Sequence, residues 1–162
     1  MAADEYSIRN STNLDNIQWT RLDHTTGTAL GSFLVLNGPS SNVAYRTIVP
    51  VEPNTNYVFC AFATNLVNGS NNSDPNLTID IDGVSQLVGV DLPKQVGKWW
   101  ILTFSYFSGS NSGMVPIEIT DIDPSLQNDC AIDDVSFREC MIEEVCCEDE
   151  DLFDDYLILD RL

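Results

Sequence analysis

Short runs of β-branched and aromatic residues, separated by turn-forming residues, recur along most of this chain. Seven runs predict strands, at residues 33–36, 43–49, 57–66, 77–81, 99–107, 115–119 and 131–137. Glycine, proline, asparagine and aspartate are concentrated between the runs, and Asp82-Gly83 predicts a tight hairpin because glycine tolerates a positive φ. The runs lack helical periodicity. The pattern therefore predicts an all-β, antiparallel two-sheet β-sandwich.

Alternation within the runs predicts which faces are buried. In residues 99–107 the even positions are apolar and positions 103 and 105 are polar, and residues 77–81 alternate in the same way. Such alternation is typical of a strand with one face on a core and one in solvent. It turns Trp99 away from the face that Trp100 shares with Leu102. Residues 57–63 are apolar on both faces, which predicts a central strand.

Charge divides the chain into two segments. The 162 residues include 25 acidic and 7 basic side chains, for a net charge of −18. Residues 139–162 alone contain 10 acids, three of the five cysteines and one base, Arg161, so half of the net charge lies in this tail. We therefore expect a sandwich over residues 1–138 and an acidic, cysteine-containing appendage over residues 139–162.

The acidic composition also limits the partners. A nucleic-acid groove needs clustered lysine and arginine, and an anionic membrane repels such a chain. No apolar run reaches the ~20 residues that a membrane span requires. The first residues lack a basic region followed by an apolar stretch, so we expect no secretory signal here. Calcium, cationic proteins and neutral glycans remain as partners.

Catalysis has little support in the sequence. His24 is the single histidine, which excludes a multi-histidine zinc or iron site. A histidine base would need a positioned nucleophile, and the chain contains no nucleophile motif. We therefore expect a protein that is not an enzyme, with no catalytic residues, in which His24 has a structural role.

Three stretches resemble a known family: DHTTGT at residues 23–28, GSFLVLNG at 31–38 and NDCAIDDVSF at 128–137. Together they resemble calcium-binding jelly-roll domains of the galactose-binding-like and MAM type, which include many carbohydrate-binding modules. The resemblance spans about residues 14–138. The first stretch is similar to segments of surface and secreted proteins of Bacteroidetes-type bacteria and their phages. Residues 139–162 match nothing in this family.

The resemblance implies a jelly roll with a structural calcium ion, held by an aspartate of the last strand and oxygens of an early loop. The matching positions are Asp23, Thr25, Thr28, Asp133 and Asp134. Calcium takes six to eight hard oxygen ligands, which carboxylates, hydroxyls and loop carbonyls provide. Simple alternation places Asp133 on the core face of the last strand and Asp134 on the opposite face. The alternative is that Asp23 caps a turn and that Asp133 and Asp134 lie exposed at the start of a strand.

Glycan recognition requires aromatic faces for stacking and polar groups that fix hydroxyls. Trp99, Trp19, Tyr45 and Arg46 are the candidates for these roles. Ordinary packing at a sheet edge or under a loop is the alternative for each of them.

The tail predicts a docking segment. Its apolar residues recur at helix-like spacing after an acidic start, although an extended strand fits nearly as well: Leu152, Phe153, Tyr156, Leu157 and Leu159. An apolar face of this kind folds back on the sandwich or docks into a protein assembly.

Two functions remain. The first is a non-catalytic binding or adhesion module that recognises glycan or protein at a surface. The alternative is a phage virion component, such as a capsid decoration or fibre-associated protein, that docks through its tail. We expect the chain to be located at a virion or extracellular surface.

Overall fold

The structure, a computed structural model, describes residues 5–9, 23–28, 30–37, 43–67, 73–95, 98–125 and 128–140. The described residues form nine strands: β1 (Glu5–Arg9), β2 (Phe33–Asn37), β3 (Val43–Val51), β4 (Asn56–Asn65), β5 (Asn76–Ile81), β6 (Val84–Asp91), β7 (Trp100–Phe107), β8 (Gly113–Asp121) and β9 (Cys130–Glu139). All seven predicted strands are present, and β1 and β6 were not predicted. Over these residues we find no helix with the length and apolarity needed to cross a membrane.

The strands form two antiparallel sheets. A five-stranded sheet has the order β1-β2-β9-β4-β7, and a four-stranded sheet has the order β3-β8-β5-β6. The predicted all-β, two-sheet β-sandwich is therefore confirmed. The prediction that residues 57–63 form a central strand is also confirmed, because β4 pairs with β9 on one side and β7 on the other.

The core lies between the two sheets and follows the predicted alternation. Leu102, Phe104 and Tyr106 of β7 contact it, and Phe104 stacks on Phe59 of β4 with ring centroids 5.0 Å apart. The four-stranded sheet supplies the opposite wall of the core through residues that are almost fully buried: Leu77, Ile79, Ile81, Val115, Ile117 and Ile119. Every second residue of these strands therefore points away from the core.

A β-bulge interrupts β9. Phe62 of β4 pairs with Asp133, whereas Cys60 pairs with Ser136, so β9 has one extra residue here. Asp134 adopts a positive φ of 49°. As a result Ile132 and Val135 both contact the core, and Asp133 lies on the outer face of the sheet. The prediction that Asp133 shares the core face of Val135 was wrong, because simple alternation does not allow for a bulge.

The predicted hairpin at Asp82-Gly83 is confirmed. Both residues have positive φ, 52° and 73°, and they connect β5 to β6. Positive φ at both central residues defines a type I′ turn, whose twist matches that of the paired strands.

Asp121, at the end of β8, joins three segments at one end of the sandwich. It is 1% exposed, and its carboxylate accepts hydrogen bonds from the backbone N–H groups of Asn76 and Asp123, both at 3.1 Å. The buried side chain of Asn128 donates to its other oxygen at 2.8 Å. Despite these donors, burial raises the pKa of Asp121 to about 6.

We expect Asp121→Asn to change how stability depends on pH. The folded-state pKa lies above the ordinary value of 3.8, so the stabilisation from the protonated group is present below that value and is lost as pH rises through about 6. The free energy of unfolding of the variant, relative to that of the wild type, should therefore rise by roughly 3 kcal/mol between about pH 4 and pH 7.

Urea unfolding at several pH values measures this difference, and the exposed Asp91→Asn is the matched control. A difference between Asp121→Asn and wild type that stays constant with pH would contradict the elevated pKa.

Candidate functional site

The predicted early loop forms a turn organised by Asp23. Its carboxylate accepts hydrogen bonds from the backbone N–H of Thr26 at 2.9 Å, the Thr26 hydroxyl at 2.7 Å and the backbone N–H of Thr28 at 3.2 Å. These donors, above all the Thr26 hydroxyl, lower the pKa of Asp23. A Cβ at Gly31 would overlap the Asp23 carboxylate, so only glycine fits there without displacing it.

The turn is joined to the β9 bulge. The backbone N–H of His24 donates to Asp133 Oδ2 at 2.9 Å, and the Thr25 hydroxyl donates to Asp134 Oδ1 at 2.6 Å. His24 Nδ1 lies 2.8 Å from Asp134 Oδ2. The two segments are about 109 residues apart in sequence. We call the set Asp23, His24, Thr25, Thr26, Thr28, Asp133 and Asp134 the turn–bulge cluster.

The five residues predicted to hold calcium therefore lie in one cluster. It brings three carboxylates together, and the imidazole of His24 contacts one of them, Asp134. Asp133 is only 9% exposed, and burial raises its pKa. Hard oxygens and excess negative charge suit calcium.

Hydrogen-bond donors already occupy these oxygens. Each oxygen of Asp23, Asp133 and Asp134 accepts at least one hydrogen bond from within the cluster. In the described ranges no three histidine, cysteine or acidic side chains are arranged to hold a metal ion. An ion here would have to replace some of these donors, and calcium stays a prediction.

A second apolar cluster covers the same side of the five-stranded sheet. The His24 ring stacks on Phe62 with centroids 3.4 Å apart, and Trp99 meets both His24 and Phe33 edge-on at 5.9 Å. Trp99 also packs on a group of fully buried residues: Val35, Leu66 and Ala131. Trp99 lies away from the core between the sheets, as predicted, and these contacts make it part of a packed layer.

The outer face of the four-stranded sheet is open and carries a row of polar side chains. Arg46 pairs with Glu118, Glu118 with Asp80, and Asp80 with Ser85, in register across all four strands. Arg46 Nε lies 3.2 Å from Glu118 Oε1, and the Ser85 hydroxyl donates to Asp80 Oδ1. We call these four residues the polar row.

The neighbouring positions differ on the two sides of the polar row. On one side Thr120 of β8, half-buried, pairs with Thr78 of β5, which is buried and accepts a hydrogen bond from the Gly89 N–H. On the other side Ile48 of β3, 54% exposed, pairs with Pro116 of β8. The open face therefore combines charged groups, hydroxyls and a small apolar strip.

The structure separates the residues predicted to bind glycan. Arg46 lies on the open face, but Tyr45 packs against the core on the opposite side of the same strand. Trp99 belongs to the layer outside the other sheet, so it cannot contact one small ligand together with Arg46. Trp19 and the predicted docking residues lie outside the described residues: Leu152, Phe153, Tyr156, Leu157 and Leu159.

Sequence reasoning did not identify Glu118, Asp80 or Ser85 as partners of Arg46. Alternation could place each of them on an outward face. Only the strand order and register, however, show that they form one line with Arg46.

No family model and no curated protein matches this sequence. Solved structures match its fold. A sugar-binding protein, the EclA C-terminal domain, is 11% identical with a TM-score of 0.52, and the alignment covers 85% of this chain and 80% of that one. A CBM4 structure is 12% identical with a TM-score of 0.50, over 85% of this chain and 88% of that one.

The enzymatically active domain of bacteriophage CBA120 tailspike protein 4 is 14% identical with a TM-score of 0.51, over 86% of this chain and 18% of that one. At such low identities these likenesses show a shared fold, the β-sandwich described above.

We expect Trp99→Ala to lower the free energy of unfolding by about 2–4 kcal/mol, because it removes the ring that packs on Phe33 and His24. Phe107→Ala is the matched control, since Phe107 is 59% exposed and a surface substitution costs about 0.5 kcal/mol or less. Chemical denaturation of both variants measures the difference. Equal small losses would show that Trp99 does not contribute to the packed layer.

Proposed function

We propose that this chain is a non-catalytic carbohydrate-binding domain that holds glycan on the outer face of its four-stranded sheet. The polar row carries the proposal, because it presents a guanidinium, two carboxylates and a hydroxyl in one line on an exposed face. The fold shared with a sugar-binding protein and a CBM4 structure supports it.

The polar row matches the chemistry of sugar hydroxyls. Each hydroxyl both donates and accepts, so it can donate to a carboxylate of Glu118 or Asp80 while it accepts from Arg46. Hydrogen bonds to ionised groups are stronger than those between neutral groups. Ile48 lies beside the row and offers an apolar surface to the C–H face of a sugar ring.

The opposite sheet is a poorer site. Its outer side is covered by the turn–bulge cluster, where His24 stacks on Phe62, and by Trp99 packed on Phe33. These aromatic faces contact one another, which leaves them less available for sugar stacking. The four-stranded sheet therefore supports ligand binding better.

The polar row favours binding over hydrolysis. Glycoside hydrolysis needs two carboxyl groups whose surroundings set one as acid and the other as base or nucleophile. Glu118 is paired with Arg46, and both acids of the row lie on an open sheet face where water has access. We therefore propose a domain that binds its glycan without cleaving it.

A structural calcium ion at the turn–bulge cluster is part of the proposal. Asp133, Asp134 and Asp23 would hold it, with the hydroxyls of Thr25 and Thr28 as further oxygen donors. When bound, the ion would supply positive charge to three neighbouring carboxylates, of which Asp134 contacts the His24 imidazole. It would tie the turn to β9, on the side of the molecule opposite the glycan.

A phage virion component, such as a capsid decoration or fibre-associated protein, is the second candidate. The similar fold within a bacteriophage tailspike protein favours it. The two candidates are compatible, because a virion domain that recognises a host surface can do so through glycan. In that case the acidic tail, residues 139–162, would dock the domain into the virion, and the chain would act at a virion or cell surface.

We expect wild-type protein to bind a subset of a glycan array that spans neutral, acidic and amino saccharides, and to release no reducing ends from it. Glu118→Ala should weaken binding by about tenfold or more, because it removes a charged partner of the sugar hydroxyls. Asp91 is an exposed acid of the same sheet outside the row, so Asp91→Ala should bind like the wild type. An array with no bound glycan, or equal binding by both variants, would contradict the proposed function.

We expect calcium to raise the melting temperature of the wild type in proportion to the logarithm of its concentration above the dissociation constant. Asp133→Asn keeps an oxygen acceptor for the His24 N–H but removes the charge, so its melting temperature should be the same with calcium and with a chelator. Differential scanning calorimetry measures both proteins. If calcium leaves the wild-type melting temperature unchanged, hydrogen bonds alone hold the turn and the calcium proposal fails.

A further inference from the structure

The open face of the four-stranded sheet has an excess of negative charge. Its strands β3, β5, β6 and β8 contain one basic residue, Arg46. Glu118 and Asp80 lie at the centre of this face, because β8 and β5 are the two inner strands.

Glu118 and Asp80 are directly opposite each other on paired strands. Side chains in this arrangement have Cβ atoms about 5 Å apart, and like charges there destabilise a sheet. Arg46 offsets the charge of Glu118 at 3.2 Å, whereas Asp80 accepts a hydrogen bond from the uncharged Ser85 hydroxyl. The Ser85 hydroxyl satisfies an oxygen of Asp80 without neutralising its charge.

A cationic ligand would relieve the repulsion between these two carboxylates. An ammonium group has three donors, enough to bond both carboxylates and a neighbouring hydroxyl such as that of Thr120. An anionic ligand, such as a uronate or a sulfated sugar, would increase the repulsion. The charge pattern of the polar row therefore selects among glycans.

We infer that the preferred ligand is an amino saccharide with free, protonated amino groups, whose ammonium lies between Asp80 and Glu118. This inference rests on the proposed function and names the ligand class for the same surface. Hydroxyls of the same saccharide bond Arg46 and Thr120.

The net charge of −18 also attracts any polycation, and the test must separate this effect from local recognition. Asp80→Asn and Asp91→Asn change the net charge by the same amount on the same sheet. Only Asp80 belongs to the polar row, so the pair of variants isolates the local contribution.

Isothermal titration calorimetry compares a glucosamine hexamer with the N-acetylglucosamine hexamer, which has the same backbone without the charges. The measurement is made at about pH 5.5, where most carboxylates are ionised, and in moderate salt. We expect the wild type to bind the amino hexamer about tenfold more tightly than the acetylated one. Asp80→Asn should reduce this ratio towards one, and Asp91→Asn should leave it within about twofold of the wild type.

Arg46→Gln gives an independent measurement. It removes the cation that competes for Glu118, so the preference for the amino hexamer should rise. Unchanged or lower preference in this variant would overturn the inference.

The remaining outcomes separate the inference from the proposed function. Binding of neutral glycans through Glu118, without a preference for the amino hexamer, would overturn the inference and leave the proposed function standing. Equal losses of preference in Asp80→Asn and Asp91→Asn would show attraction by net charge only, and this would also overturn it. Failure to bind any saccharide would contradict both.

Discussion

The extra residue in β9 is the constraint on which the rest of this structure depends. β9 is the middle strand of the five-stranded sheet, and its bulge allows Ile132 and Val135 both to reach the core. The residues between them then face outward, where Asp133 and Asp134 receive the N–H and side-chain donors of the turn. Without the bulge, one of the two carboxylates would point into an apolar core, where an unpaired charge is costly.

The same bulge decides how the two sides of the sandwich are used. By holding residues 23–28 against the sheet, it brings His24 onto Phe62 and next to Trp99. That side gains a second packed layer, and its aromatic residues contribute to stability. On the outer face of the four-stranded sheet, Arg46 and Ile48 are exposed. The proposed division between a structural side and a binding side follows from this asymmetry.

Local pattern predicted most of the fold, because alternation and turn chemistry act over a few residues. It correctly identified seven strands, the Asp82-Gly83 hairpin and the outward position of Trp99. It missed β6, whose pairing with β5 shifts register twice and whose Gly89 has a positive φ, so the strand lacks a regular alternation. It also misplaced Asp133, because nothing in the local pattern marks a residue such as Asp134 for a positive φ.

The candidate binding surface was harder to predict from the sequence, because it depends on the register between strands that are distant in the chain. Arg46 was identified, but Tyr45 was grouped with it, although neighbouring residues of a strand point to opposite faces and Tyr45 packs against the core with Val49 and Val51. Glu118 and Asp80 become neighbours only because β8 lies between β3 and β5. Two carboxylates this close destabilise the centre of a sheet through their repulsion. A cation bound between them would remove that repulsion. The feature that sequence alone could not supply, strand order, is therefore also the one that gives the open face its chemistry.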